Sequence, residues 1–427
     1  MANSGAEAVR PQRGNKLTRD RLTLTTYFQV ALWGWFVMSI GPTVPLITKQ
    51  FNISKGIGGL HGTAIAVGAV SVGLVSHRLV LNFGRRPIML AGSVLMVGGT
   101  FLLITGPHVA VTLAGVTVIG IGGNLIINVA QPALSVHHGL HGPAAVTEAN
   151  AGSAIVGIFG PLAVGGAVSL GWGWKPAILV TAVLGLIAFF LIYPLPTAGS
   201  LDGRGAARAK RTPEPDDDGG ATGYTPAFWF FIVAVTCGVA IEFSTSFWAA
   251  DLIGSRTGAG AGIATAALAA LFGGMALARV IGGRLALRYA PEKLMIVAFA
   301  IAGGGWFIMW TATDATIAFA ALFLTGVGFG LHYPLGVALA LRASQGRPDA
   351  AQAIVAITTG AAVGLAPFVL GALADQFGSH RAFILVPIII LIGGTSVFFG
   401  LRDVQRRVKR SRKPASGTEP VPPATEN

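Results

Sequence analysis

The chain has 427 residues, of which 53% are hydrophobic and only 11% are charged. Soluble domains are about 25% charged, so a soluble fold of this composition would lack the polar surface to cover itself. These values exclude a cytosolic enzyme, a nucleic-acid-binding domain and a disordered scaffold, although the net charge is +13. The composition predicts instead a polytopic membrane protein with about a dozen spans.

Residues 1–24 form a predicted polar tail, and we expect no cleaved signal peptide because no short apolar core precedes a small-residue cleavage site. Twelve apolar segments follow, each long enough to cross a bilayer as a helix. They lie at 25–48, 59–80, 87–105, 109–133, 146–170, 175–195, 226–252, 262–287, 293–312, 315–341, 351–373 and 381–401. Barrel strands would be shorter and would alternate. The predicted fold is therefore an all-α integral membrane protein with twelve transmembrane helices.

The long polar stretch at 197–225 is predicted to be a linker between two six-helix bundles. The bundles occupy 25–196 and 226–401, and residues 402–427 form a predicted second tail. A shift of 206 residues brings features of the two halves into register: Arg78–Phe83 with Arg284–Tyr289, Gly98 and Gly99 with Gly304 and Gly305, Gly120 and Gly122 with Gly326 and Gly328, and Pro161 with Pro367. Two pseudo-symmetric six-span repeats with a site between them are typical of transporters.

The basic residues predict the orientation of the chain. The side that holds both termini carries 24 of the 30 Lys and Arg residues, and the other side carries 5. The positive-inside rule therefore predicts that both termini are cytoplasmic. We expect a multi-pass protein of the cell (plasma or inner) membrane.

The loop after the second segment reads HRLVLNFGRRP, and its second-half copy reads GRLALRYAPEK. On these motifs, the twelve segments, the linker and the repeat, the chain resembles the major facilitator superfamily from about Thr25 to Leu401. The family pattern is Gly-x-x-x-Asp-Arg-x-Gly-Arg-Arg. The resemblance implies gating-loop roles for five residues: Gly84, Arg85, Arg86, Gly283 and Arg288. Leu81 and Leu287 stand where the family has an aspartate that helps to latch the gate, so the resemblance puts that latch in doubt here.

A second motif, GIFGPLAVGG, lies in the fifth segment and resembles the Gly-Pro motif of proton-coupled exporters in that family. The resemblance implies a helix-packing role for Gly157, Gly160, Pro161, Gly165 and Gly166. A third stretch, ALADQFGSHRAF, resembles the family's loop between spans eleven and twelve.

Ionisable residues inside spans are costly and are treated as functional hypotheses. Glu242 lies about 14 residues into the seventh segment, roughly 21 Å from its cytoplasmic end and near the middle of the bilayer. It is the first candidate for proton coupling, and Glu148, at the start of the fifth segment, is the second. A hydrogen bond between helices remains open for Glu242, and stabilisation by the helix macrodipole remains open for Glu148.

The fourth segment carries Asn124, Asn128, Gln131 and Ser135 at spacings that place them on one helical face. Lipid cannot hydrogen-bond such a stripe, so it faces the bundle interior, either lining a cavity or joining helices. The other candidates for the cavity are Arg279, His332, Tyr333, Trp35, Phe243 and Trp248. Snorkelling remains open for Arg279, and an interfacial position remains open for the aromatic residues.

These features predict a secondary active transporter that works by alternating access. Proton-coupled export of an amphipathic compound, by an antiporter, is the first interpretation. Uptake of a small metabolite, such as a sugar or an organic acid, by symport or facilitated diffusion is the alternative, and a non-transporting membrane sensor is a third. We expect no enzyme, cofactor or metal site, because no nucleophile–base pair, metal-spaced cluster or phosphate loop occurs. The expected partners are a small-molecule substrate, protons and the lipid bilayer, with no nucleic acid and a monomeric chain.

Overall fold

The structure is a computed structural model that describes residues 17–202, 224–286, 288–345 and 347–411. Within those ranges, 12 helices are long and apolar enough to cross a membrane. Spans 1 to 6 are Arg21–Phe51, Lys55–Phe83, Arg85–Thr105, Val109–His138, Gly142–Ser169 and Lys175–Ile192. Spans 7 to 12 are Pro226–Thr257, Ala261–Ala286, Pro291–Thr311, Ala315–Arg342, Pro348–Phe377 and Ser379–Arg407. The prediction of an all-α protein with twelve spans is confirmed.

Two spans contain short interruptions. Span 8 consists of the helices Ala261–Ala266 and Leu268–Ala286. In span 12 a single turn, Ser379–Ala382, precedes the helix Leu385–Ser411. Everywhere else the spans are continuous helices, because a helix satisfies its own backbone hydrogen bonds where no water is present.

The helices run past the apolar segments that the sequence marks out. Span 1 begins at Arg21 rather than at 25, because the side chain of Asp20 caps it by accepting a hydrogen bond of 2.9 Å from the Thr23 N–H. The last helix continues to Ser411, so the tail predicted from 402 is helical at its start. An ion pair of 2.8 Å between Arg407 and Asp403, one turn apart, supports this extension. Most of the predicted linker, 203–223, lies outside the described residues.

The two halves repeat the same helix packing. Spans 3 and 4, 2 and 4, 1 and 5, and 1 and 6 pack together in the first half. The equivalent pairs in the second half, 9 and 10, 8 and 10, 7 and 11, and 7 and 12, also pack together. The predicted pair of pseudo-symmetric six-helix bundles is therefore present.

The glycines that repeat along the sequence occupy equivalent contacts in space. Gly120 of span 4 lies against Ile65 of span 2, and Gly326 of span 10 lies against Leu271 of span 8. Small residues allow helices to approach closely in lipid, where no hydrophobic drive brings them together. The same correspondence holds for two further pairs, Gly99 with Gly305 and Gly122 with Gly328.

The halves meet through spans 2 and 11, 5 and 8, and 1 and 7. We call the end of the bundle where span 1 begins the termini end, and the other end the opposite end. Towards the opposite end, the Thr63 hydroxyl of span 2 donates a 2.6 Å hydrogen bond to the Gly364 carbonyl of span 11. Closer to the termini end, a Cβ added at Gly73 or Gly360 of the same two spans would meet nothing within 4 Å. Gly41, Gly59, Gly62 and Gly165 also contact the other half, and all of them lie towards the opposite end. We infer from these positions that the halves diverge towards the termini end.

The Gly-Pro motif of span 5 packs in two directions. Gly157 and Gly160 lie against span 1, whereas Gly165 lies against Gly262 of span 8 in the other half. A Cβ added at Gly166 would meet no atom of another residue within 4 Å. Pro161 is inside the continuous helix. One glycine of the motif therefore contributes to the contact between the halves.

Gly165→Ala is expected to lower the melting temperature of the purified protein. The new Cβ would lie 2.5 Å from the Gly262 carbonyl oxygen and 2.8 Å from the Ala266 Cβ, so the two spans must move apart. The control, Gly166→Ala, enters open space and gains the higher helix propensity of alanine, which is worth up to about 1 kcal/mol. Equal melting temperatures for the two variants would contradict this packing.

Candidate functional site

Glu242 lies near the middle of span 7, sixteen residues after Pro226 and about 24 Å along the helix. Its side chain is partly exposed, although its neighbours along the helix are mostly buried. No described residue forms a hydrogen bond or a close ion pair with its carboxyl group. Because lipid cannot solvate a carboxylate, this exposed side chain faces the space between the halves.

Two polar side chains of neighbouring spans interact electrostatically with Glu242. They are Arg279 of span 8 and Tyr333 of span 10. Both are exposed, and Arg279 forms no hydrogen bond or ion pair with a described residue. The second half therefore carries a carboxyl group, a guanidinium and a phenol close enough to act on one another electrostatically.

The polar stripe of span 4 lies on an accessible face of the first half. Asn128 and Ser135 are exposed, Gln131 is partly exposed, and Asn124 donates a 2.8 Å hydrogen bond to the Gly120 carbonyl of its own helix. The amide of Asn124 is therefore partly used within the span. The other three side chains remain available to line the interior.

His332 and Tyr333 are adjacent in sequence but lie in different environments. His332 is 1% exposed and stacks on the Phe299 ring, with 4.0 Å between the ring centroids. A Cβ on Gly238 of span 7 would lie 2.6 Å from the His332 Cβ, which shows how tightly the histidine is enclosed. We call the exposed or partly exposed side chains of Glu242, Arg279 and Tyr333 the accessible wall. The structure places Tyr333 on this wall and encloses His332 between spans 7, 9 and 10. The sequence analysis predicted that both residues would line the cavity.

The three aromatic residues predicted to line the cavity also differ in their exposure. Phe243 is partly exposed, one residue from Glu242. Trp35 is 7% exposed and Trp248 is 1% exposed. The indole N–H of Trp248 donates a 2.8 Å hydrogen bond to the Pro367 carbonyl of span 11. Trp248 thus belongs to the packed opposite end, and of the three only Phe243 stands on the accessible wall in this conformation.

Glu148 is engaged by two side chains from the start of the chain. Arg19 donates hydrogen bonds of 2.7 and 3.0 Å to its two oxygens, and the Tyr27 hydroxyl donates one of 3.1 Å. These contacts tie span 5 to span 1 within the first half. Glu148 is therefore a paired carboxylate near the termini end, unlike Glu242.

Most of the predicted gating loop is helical, because span 2 continues to Phe83 and span 3 begins at Arg85. Arg85 and Arg86, at the start of span 3, hold the segment that follows span 6. The Arg85 guanidinium donates a 2.7 Å hydrogen bond to the Ser200 carbonyl, and Arg86 donates to the Tyr193 carbonyl. Gly84 joins the two spans at φ 79°, a backbone conformation that glycine adopts without strain. Leu81, in the last turn of span 2, is partly exposed. The two arginines therefore fix the start of the segment that leads from span 6 into the linker.

The second-half copy of this loop is less enclosed. A Cβ added at Gly283 would meet no atom of another residue within 4 Å, and the side chain of Arg288 is exposed. Leu287, which stands at the second aspartate position, lies outside the described residues.

The sequence analysis did not predict a cluster of four polar residues at the opposite end. Lys55 of span 2 contacts Asp251 of span 7 and Ser379 of span 12, and its backbone contacts Asp375 of span 11. Charged residues at span ends are ordinary, so no local signal marked these residues.

Comparison with known proteins identifies the fold and the family. A family model described as Major Facilitator Superfamily matches residues 26–273 and 230–425. The chain belongs to the major facilitator superfamily. No curated protein matches the chain. This superfamily member is therefore a multi-pass membrane transporter, and its family and fold are non-enzymatic in general.

Solved structures share this fold at low sequence identity. A bacterial homologue of the human lysosomal transporter Spinster, inward-facing and occupied, has a TM-score of 0.72 at 14% identity, covering 92% of this chain and 99% of that chain. The xylose transporter XylE from E. coli, partially occluded and inward open, has a TM-score of 0.69 at 14% identity, covering 90% and 98%. The nucleoside transporter NupG has a TM-score of 0.67 at 13% identity, covering 90% and 98%.

The accessible face of span 4 is testable by cysteine labelling in a Cys237→Ala background. Asn128→Cys and Ser135→Cys are expected to react with a hydrophilic thiol reagent, because both positions are exposed and we expect water to reach them. Val129→Cys, which is 1% exposed, is expected not to react. Leu186→Cys, on the exposed face of span 6, tests for lipid exposure, because a thiol in lipid does not ionise. Labelling of the Leu186 variant with protection of the Asn128 variant would show that the stripe is turned away from water.

Proposed function

We propose that this transporter couples the export of an amphipathic organic compound to the movement of protons, with Glu242 as the proton-binding group. The observation that supports the proposal is a carboxyl group at the middle of span 7 with no close partner among the described residues. A group at that depth is nearly equally distant from both ends of the helix. Rocking of the halves would expose it to one side of the membrane and then to the other.

The widening of the interior towards the termini end supports alternating access. On the proposed orientation, in which the side with both termini is cytoplasmic, the structure represents an inward-open conformation. We further propose that the protein acts as a monomer in the cell membrane, because each single chain contains both halves and the space between them.

The composition of the accessible wall supports an amphipathic substrate. Phe243 and Tyr333 offer aromatic surface beside Glu242, and Asn128 and Gln131 offer amides from the other half. An organic cation would neutralise the Glu242 carboxylate that a proton would otherwise neutralise. Competition between the two ligands for one group is a simple basis for antiport.

A second candidate function is uptake of an organic acid, and Arg279 favours it. This guanidinium is exposed and forms no hydrogen bond with a described residue. Arginine has donors in a planar fork that suits a carboxylate. Among similar structures, one is described as a D-xylose–proton symporter, which supports proton-coupled uptake within this fold.

Substrate-driven proton movement in everted vesicles tests the first proposal. A panel of lipophilic cations, sugars and organic acids is added to vesicles with an acidic lumen. We expect one class of compound to release protons from the lumen, and we expect Glu242→Gln to abolish the release because the amide cannot titrate. The control Glu292→Gln removes a carboxylate at the start of span 9 and is expected to retain it. Retention of release in the Glu242 variant would refute the assignment of this residue.

The same assay separates the two functions through Arg279. If the substrate is an organic acid, Arg279→Gln is expected to raise its apparent KM by about tenfold or more, because a charge-assisted pair worth roughly 1.5–3 kcal/mol is lost. If the substrate is a lipophilic cation, the same variant is expected to leave the KM unchanged or lower it. An unchanged KM for every organic acid in the panel would rule out the second candidate function.

A further inference from the structure

Four residues at the opposite end connect the two halves by an ion pair and hydrogen bonds. Lys55 begins span 2 of the first half. Asp251 of span 7, Asp375 of span 11 and Ser379 of span 12 belong to the second half. Their positions along the chain, up to 324 residues apart, hide this cluster from the sequence. We call it the Lys55 cluster.

The Lys55 ammonium group has two partners in the second half. Its Nζ atom lies 2.6 Å from Asp251 Oδ2 and donates a hydrogen bond of 2.6 Å to the Ser379 Oγ atom. The Ser379 hydroxyl donates in turn to the same Asp251 oxygen. The side chains of Lys55 and Asp251 are 29% and 26% exposed, so solvent screens this pair less than a pair on the open surface.

Asp375 binds the main chain rather than a side chain. Its two carboxylate oxygens accept hydrogen bonds of 2.8 Å each from the backbone N–H groups of Lys55 and Gly56. These N–H groups belong to the first turn of span 2, where a helix leaves its donors without partners and favours negative charge. A residue of span 11 thus completes the cap of a helix in the other half, beside the local cap provided by Ser54.

We propose that the Lys55 cluster is a latch that holds the opposite end closed, and that its release is part of opening the transporter to that side. Lys55 and Asp375 act as positioning residues for transport. Every contact that Lys55 and Gly56 make in the cluster crosses the boundary between the halves, so rocking the halves apart at this end must break these contacts together. The proposal rests on the alternating access proposed above.

The latch complements the packing between the same spans. Next to the cluster, a Cβ on Gly371 would lie 2.5 Å from the Lys55 carbonyl oxygen, and Trp248 lies against the same glycine. The backbones can approach so closely because glycine has no side chain, and this approach brings Asp375 within reach of the end of span 2. The charges therefore secure a contact that small residues make possible.

A cysteine reporter in the closed end measures release of the latch. Ser246→Cys in a Cys237→Ala background places a thiol that is almost fully buried, next to the contact between span 7 and Gly41 of span 1. The protein is studied in nanodiscs with a hydrophilic maleimide. Lys55→Gln removes a partly exposed ion pair, and Asp375→Asn replaces a carboxylate that accepts two backbone hydrogen bonds. Each change is expected to raise the labelling rate about fivefold, which corresponds to a loss of about 1 kcal/mol. The control Lys49→Gln removes an exposed lysine at the same end and is expected to leave the rate unchanged.

A second reporter distinguishes release of the latch from loss of the fold. Asn128→Cys lies on the wall that opens towards the termini end, so opening the opposite end should slow its labelling in the Lys55 and Asp375 variants. Misfolding would accelerate labelling of both reporters. Acceleration of both reporters, or equal rates in the Lys55 and Lys49 variants, would overturn the proposal.

A double-mutant cycle tests whether Lys55 and Asp251 act as a pair. Combining Lys55→Gln with Asp251→Asn is expected to give little more acceleration than either change alone, and fully additive effects would overturn the pairing. The labelling needs neither substrate nor a proton gradient. Failure of the export proposal in vesicles therefore leaves this result intact, and failure of the latch leaves Glu242 to be judged by the vesicle assay alone.

Discussion

The closest approach of helix backbones between the two halves is the contact on which the rest of the structure depends. In lipid, apolar side chains gain nothing by leaving their surroundings, so helices associate through van der Waals contact and hydrogen bonds. Gly165 and Gly262 bring spans 5 and 8 together, and Gly371 does the same for spans 11 and 2. Because these contacts concentrate at one end, the halves diverge towards the other end and leave a space between them.

The absence of water in the bilayer also determines where the polar side chains lie. A carboxyl group that faced lipid would be costly, so Glu242 turns to the space between the halves, together with Arg279 and Tyr333. The same argument predicts that the exposed amides of span 4 face inward. The polar wall is therefore a consequence of the fold, and the diverging halves determine the end from which water enters it.

The sequence predicts the features that depend on local pattern. Hydropathy indicates twelve spans, and the spacing of small residues predicts the repeat, since Gly120 and Gly326 must each admit a neighbouring helix. Helix rotation is not local: consecutive residues differ by about 100°, so one of His332 and Tyr333 faces the interior while the other is enclosed. The Lys55 cluster escapes prediction because it joins residues that only the folded halves bring together.

The two ends of the molecule use their charged residues differently. At the termini end, Leu81 replaces the family's aspartate, and Arg85 instead binds the Ser200 carbonyl within the first half. A guanidinium keeps its charge and its donors, and the Asp202 carboxylate acts on this one electrostatically. At the opposite end, Lys55 and Asp375 carry charge across the boundary between the halves. The opposite end is therefore joined across the halves by charge as well as by helix packing, whereas Arg85 uses its charge-assisted hydrogen bond within the first half.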